Sequence, residues 1–248
     1  MAVAACGGEE PRPEPGASGT VSAAAASNFT ATLDSLAALF LDLTGVQVIA
    51  TSGSSGQLYA QILNGAPFHV FLSADSARPL LLEAEGLTVP DTRFTYALGQ
   101  LVLYGPGLDT VRADGADLRG PLDGRLAVAN PETAPYGVAA LEVLEHLGRG
   151  ELEPTLVRGE SVAQVLSFVR SGAAELGFVA LSQVVDEPPS TYWSVPPELY
   201  APIRQDAVLL ESGGSHAGAR AFLEFLQGPE AGALIVRHGY GVTAAGGR

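Results

Sequence analysis

A run of small residues, Val21-Ser22-Ala23-Ala24-Ala25-Ala26, stops at Ser27, and a helical pattern starts at once. Phe29, Leu33, Leu36, Phe40 and Leu43 then recur at spacings of four, three, four and three, which is one face of a helix. The run reads as a buried strand, and Ser27 falls where strand gives way to helix, a preferred N-cap position. Such a junction gathers a hydroxyl and unpaired backbone N–H groups at one spot, which suits an anion. The alternation then repeats. Residues 46–50 read as a strand, 51–56 as a small polar turn, and Leu58, Ile62 and Leu63 as a helix closed by Asn64-Gly65. Residues 70–72 are a third strand, and Asp75 or Ser76 can cap a third helix. This β-α-β-α-β-α order predicts a parallel sheet.

Further strands are expected at 101–104, 126–129, 176–180 and 207–210, with a polar stretch at 105–124. Helices are expected after Pro135 through Leu147, from Ser161 onward, and in two closing segments near 215–226 and 229–238. Five prolines between 188 and 202 make that segment loop or sheet edge.

The chain has 248 residues, 47% of them hydrophobic, enough for one large domain or two small ones. All 13 basic residues are arginine. Without lysine there is no P-loop, no pyridoxal Schiff base and no Ser-x-x-Lys nucleophile. The net charge of −14 repels nucleic acids and acidic membranes at long range. It opposes a small anion less, because salt screens exposed charges beyond roughly 8–10 Å and local dipoles act at close range. No apolar run is long enough to span a bilayer.

The single cysteine, Cys6, excludes an internal disulfide and a cysteine metal cluster. Its context, Val3-Ala4-Ala5-Cys6-Gly7, is similar to the lipobox of bacterial lipoproteins, although only five residues precede it. Residues 7–19 are rich in Gly, Pro and Glu and read as a tether, which makes Cys6 the candidate lipidation site.

Each candidate side chain also has an ordinary structural reading. Ser27 can be a plain N-cap without ceasing to be a ligand. Asn28 is either a ligand or a solvated first-turn residue. Ser54 and Ser55 are by themselves ordinary turn residues. Tyr136 reads as cleft lining or packing, and Val162 as core whose first-turn N–H can still face a ligand. Arg158 and Arg204 are candidate cleft charges that read more readily as surface salt bridges, and Trp193 reads as packing. His69, His146, His216 and His238 lie far apart in sequence without metal-ligand spacing. Gly53-Ser54-Ser55-Gly56 is not the Gly-x-Ser-x-Gly elbow of hydrolases, and no base pairs recognisably with either serine, so an enzyme is not expected.

Six segments in order resemble the periplasmic molybdate-binding proteins of bacterial ABC transporters, the ModA family. They are Ala-Ala-Ala-Ser-Asn-Phe (24–29), Gly-Ser-Ser-Gly-Gln-Leu (53–58), Asn-Gly-Ala-Pro-Phe-His-Val-Phe-Leu-Ser-Ala-Asp (64–75), Asn-Pro-Glu-Thr-Ala-Pro-Tyr-Gly (130–137), Gly-Glu-Ser-Val (159–162) and Leu-Gly-Phe-Val-Ala-Leu-Ser-Gln-Val (176–184). The resemblance runs from about 21 to 241. It implies an α/β fold of the type II periplasmic-binding-protein kind, two lobes each built on a mostly parallel sheet flanked by helices. The expected division is a signal remnant or tether at 1–20, lobe I at 21–98, lobe II at 99–202, and a return to lobe I at 203–248.

By the same resemblance the oxyanion, molybdate or tungstate, is held by the hydroxyls of Ser27 and Ser55, with Ser54 beside it, by Asn28, and by backbone N–H groups of Tyr136 and Val162. One branch of the family uses a tyrosine hydroxyl where this chain has Ala180; Asn28 is the candidate replacement. No cofactor and no direct metal ligand are implied. The expected partner is an ABC permease, and the expected form is a monomer outside the cytoplasm, in the periplasm or at the cell surface. Sulfate is the rival ligand and a ligand-sensing regulatory domain the rival role; the absence of an adjacent tyrosine pair disfavours ferric ion.

Overall fold

The computed structural model describes residues 19–106, 118, 122 and 124–241. Cys6, the tether up to residue 18 and most of the polar stretch 105–124 lie outside the described residues. The first sheet takes β1 (Val21–Ala26), β2 (Val48–Gly53), β3 (Val70–Leu72), β4 (Phe94–Gly99) and, much later in the chain, β10 (Ile203–Leu209), in the order β2-β1-β3-β10-β4. The second takes β5 (Leu101–Tyr104), β6 (Leu126–Ala129), β7 (Val157–Gly159), β8 (Leu176–Ala180) and β9 (Tyr192–Ser194), in the order β7-β6-β8-β5-β9. The parallel part expected from the β-α-β alternation is β2-β1-β3 in one sheet and β7-β6-β8 in the other. Antiparallel strands complete both: β10 and β4 in the first, β5 and β9 in the second. The proline-rich segment supplies β9, an edge strand, where missing N–H donors are tolerated.

Helices cover the sheets: α1 (Thr30–Thr44), α2 (Ser55–Leu63), α3 (Ala77–Ala84), α4 (Pro135–His146), α5 (Val162–Arg170), α6 (Ala217–Leu226) and α7 (Pro229–Arg237). The alanines of β1 explain how one strand serves two layers. Ala23 and Ala25 pack with Phe29, Leu33 and Leu36, whereas Ala24 packs with Leu58, Ile62 and Phe71 on the other face. Small side chains let both helix layers approach the strand closely. Helix α1 buries Leu33, Leu36 and Phe40 and ends at Gly45, whose left-handed φ of 73° lets its N–H reach the Leu41 carbonyl. Leu43, placed on the inner face by its spacing, is 58% exposed in the last turn of α1. Ser27 is not the cap of this helix: Ser27–Phe29 form a 3-10 turn, tightened by Thr30 Oγ1 donating to the Ser27 carbonyl, and α1 starts only at Thr30. Among the described residues no helix is long and apolar enough to cross a membrane.

Two histidines far apart in sequence meet under the first sheet. The rings of His69 and His216 lie 4.5 Å apart. His69 Nδ1 accepts the Ser22 N–H, and His216 Nδ1 accepts the Ala219 N–H at the start of α6. Burial, and then the neighbouring His216, push the His69 pKa below its ordinary value. The folded state therefore binds fewer protons than the unfolded chain, whose histidines titrate near about 6.5. This contribution to stability is full above that value and is lost as pH falls through it. Wild type is expected to lose more thermal stability between pH 7.5 and 5.5 than His69→Gln does. Equal slopes in melting scans would show that the histidine pair does not set this dependence.

Candidate functional site

The chain crosses between the sheets twice, at Gly99-Gln100-Leu101 and at Ala201-Pro202. Between the sheets lies a pocket lined by Ser27, Asn28, Ser54, Ser55, Tyr136 and Val162, all six of the candidate residues, with Ala26, Gly53, Ala74, Ala134 and Pro135 as its remaining wall. Every one of the six sits at the start of a helix or turn. Ser27 and Asn28 open the 3-10 turn, Ser54 and Ser55 are N-cap and first residue of α2, Tyr136 is second in α4, and Val162 is first in α5. First-turn N–H groups have no carbonyl one turn earlier in their own helix, and the helix dipole adds positive potential there. Two such ends come from each side of the pocket, so a ligand between them touches both sheets' helices.

The hydroxyls are oriented by their neighbours. Ser55 Oγ accepts the Ala74 N–H at 2.9 Å in a buried contact. Its own proton is therefore left to donate. Ser54 forms a capping box with Gln57: Ser54 Oγ accepts the Gln57 N–H at 3.4 Å, and Gln57 Oε1 accepts the Ser54 N–H at 3.3 Å. No lining residue is charged.

The structure removes one of the two readings of Asn28. Asn28 is 3% exposed, so it is not a solvated turn residue. Its side-chain amide turns into a buried network, donating to Gln205 Oε1 and Tyr240 Oη at 3.0 Å each and reaching Tyr136 Oη at 3.5 Å. Its carbonyl accepts from Tyr240 Oη at 2.7 Å and Ser182 Oγ at 3.0 Å. With its amide protons engaged in this way, what Asn28 can offer the pocket is its backbone N–H. Ala180 lies fully buried outside the pocket lining, its N–H held by Gln183 Oε1.

Gln205 is the residue the sequence reading missed. It accepts from Asn28 and from Tyr96 Oη at 3.0 Å and donates to Tyr136 Oη at 3.2 Å, so it ties the first sheet to a helix of the second. The Tyr96 hydroxyl shares its one proton between Gln205 Oε1 and the Ser73 carbonyl, and the Phe29 ring packs edge-on against Tyr96 and Tyr240. Burial pushes the pKa values of Tyr96, Tyr136 and Tyr240 up, so all three hydroxyls stay protonated at neutral pH. Gly99 lies against the same group: a Cβ there would sit 2.4 Å from Tyr136 Oη, so only glycine leaves room for that hydroxyl. Gln205 was hidden because β10 begins at Ile203, four residues before the apolar run that marks it in the sequence.

The other candidate charges lie elsewhere. Arg158 pairs with Glu153 at 3.1 Å on the surface, and Arg204 reaches Thr95 Oγ1. Trp193 is buried in β9. Among the described residues no group of three or more His, Cys, Asp or Glu is placed to hold a metal ion.

Two α/β lobes joined by two crossings, with a pocket of neutral donors between them, define a two-lobed solute-binding protein. The chain belongs to the bacterial extracellular solute-binding protein family, whose model matches residues 21–241. It is 48% identical over 227 residues to the molybdate-binding protein ModA of Rhodobacter capsulatus, covering 91% of this chain and 90% of that one. Identity is also 48%, over 226 residues, to the molybdate-binding protein ModA of Azotobacter vinelandii, with 90% of each covered. The solved Azotobacter vinelandii periplasmic molybdate-binding protein superposes with a TM-score of 0.86 at 42% identity, covering 90% of this chain and all of that one.

Proposed function

We propose that the protein captures molybdate, and also tungstate, outside the cytoplasm and delivers it to an ABC permease. The observation that carries this reading is the donor set: serine hydroxyls and helix-start N–H groups from both lobes, with no charged side chain in the lining. Molybdate and tungstate are dianions without a proton at neutral pH, so they require donors only. Phosphate at neutral pH keeps a proton that needs an acceptor, and no lining residue is Asp or Glu. The relatives named as molybdate-binding proteins support the same choice.

In this reading the ligand contacts are Ser27 and Ser55 through their hydroxyls, Ser54 beside them, and Asn28, Tyr136 and Val162 through backbone N–H groups. Lobe I (21–98 with 203–248) and lobe II (99–202) close on the ion as units. An ion that bonds both lobes stabilises the closed form by the contacts it makes only there. The protein acts as a monomer, and Cys6, when lipidated, holds it to the membrane surface.

Calorimetric titration with molybdate, tungstate, sulfate and phosphate at moderate salt tests the proposal. Tight one-to-one binding of the first two and none of phosphate is the expected result. Sulfate bound as tightly as molybdate would make the protein a general oxyanion carrier, and silence from all four would refute the reading.

A further inference from the structure

At the mouth of the pocket the two lobes touch through a short seam. The Gly56 N–H, in the first turn of α2, donates to the Thr133 carbonyl of the opposite lobe at 2.9 Å. Beside it, Arg78 Nη2 donates to the Glu132 carbonyl at 2.9 Å, with the guanidinium held by Asp75 of its own lobe. Gln57 Nε2 reaches Glu160 Oε2 at 3.2 Å. A Cβ on Gly56 would stand 2.9 Å from Thr133 Cα and 3.0 Å from both the Thr133 carbonyl oxygen and Arg78 Nη2. Two of these three atoms are backbone of the other lobe, so no side-chain rotation relieves the contact. Within lobe I the close atom is the far end of the Arg78 side chain, which can shift, and Gly56 is helical with a φ that is not left-handed.

We propose that Gly56 is the residue that permits full closure, and that the Gly56–Thr133 contact is the latch that sets how much of the protein reaches the ligand-retaining state. The proposal rests on the oxyanion-capture reading above. The latch uses a helix-start N–H that does not serve the ligand: this donor goes to Thr133, and Ser54 and Ser55 on the same turn line the pocket. Closure and ligation are thus carried by adjacent residues of one helix start. Any side chain at position 56 holds the lobes apart and misplaces the Tyr136 and Val162 N–H groups relative to Ser27 and Ser55, while every ligand donor remains in the chain.

Gly56→Ala and Gly56→Val in the full chain test this with molybdate as the probe. Alanine is the better helix former, so the melting temperature without ligand is expected to equal or exceed that of wild type. Molybdate affinity is expected to fall about tenfold or more for alanine and further for valine, in proportion to the closed fraction lost. Small-angle scattering at saturating molybdate is expected to give a larger radius for both variants than for wild type. Arg78→Ala, which removes a seam bond without adding bulk, should weaken binding less than Gly56→Val. Wild-type affinity and radius in Gly56→Val would overturn the latch, as would a sharp loss of ligand-free stability in Gly56→Ala, which would make the glycine a requirement of lobe I alone. Wild type that binds no molybdate would overturn the capture reading instead, so the two failures are separable.

Discussion

Ser27→Ala combined with Ser55→Ala is expected to weaken molybdate binding by about 10²- to 10⁴-fold, because hydrogen bonds to a charged partner are worth about 1.5–3 kcal/mol each. Both hydroxyls line the pocket, and neither change adds bulk. The effect is large because no lining side chain is cationic and the Asn28 amide is already committed to Gln205 and Tyr240. Ser55→Ala also strands the Ala74 N–H that its oxygen accepts, so this single variant should lose about 1–3 kcal/mol of stability that Ser27→Ala does not lose. Comparing the two single variants by titration and by urea unfolding separates the ligand contact from the structural one. Wild-type affinity in a folded double variant would remove Ser27 and Ser55 from the site.

What could be read in advance followed the range of the interaction responsible. The β-α-β alternation and the start of a helix at Ser161 depend on neighbours within a turn or two, and each is in place. The junctions that carry Ser27, Ser55, Tyr136 and Val162 were legible because strand–helix boundaries leave local signals. Their convergence on one pocket came from the resemblance, since no local rule brings residues 27 and 162 together. The Asn28 side chain was not legible. Its direction is decided by Gln205 and Tyr240, 177 and 212 residues away. The His69–His216 contact escaped for the same reason, as did the antiparallel insertion of β10 between β3 and β4. Spacing also placed Leu43 inward, although it is exposed in the last turn of α1.

Arg93→Ala is expected to cost about 3–5 kcal/mol of stability, more than removing its partner does, because it leaves a carboxylate uncompensated in the core. Asp206 lies in β10 beside Gln205, at a register shift that falls between the two residues, and its side chain is 1% exposed. It accepts from Arg93 Nη1 at 2.8 Å and from Thr95 Oγ1 at 2.7 Å. Arg93 is 29% exposed and also bonds Glu83 at 2.9 Å, so without Asp206 it keeps a partner and reaches water. The asymmetry fixes an order. Arg93→Ala should be the most destabilising, and adding Asp206→Ala to it should restore stability rather than lower it further. A double variant less stable than Arg93→Ala would show that the buried charge is not the cause. Neither residue lines the pocket. Folded Arg93→Ala should therefore still bind molybdate within a few-fold of wild type, and saturating ligand should recover part of its lost stability by mass action. The serine pair behaves in the opposite way, with binding lost and most of the fold kept. Strand β10 joins the two cases: Gln205 on it ties Asn28 to Tyr136 behind the pocket, and Asp206 on it fastens the strand to β4 through Thr95 and Arg93. Loss of affinity in Arg93→Ala beyond what its unfolded fraction explains would mean that this fastening also sets the position of Gln205, and with it the Tyr136 side of the pocket.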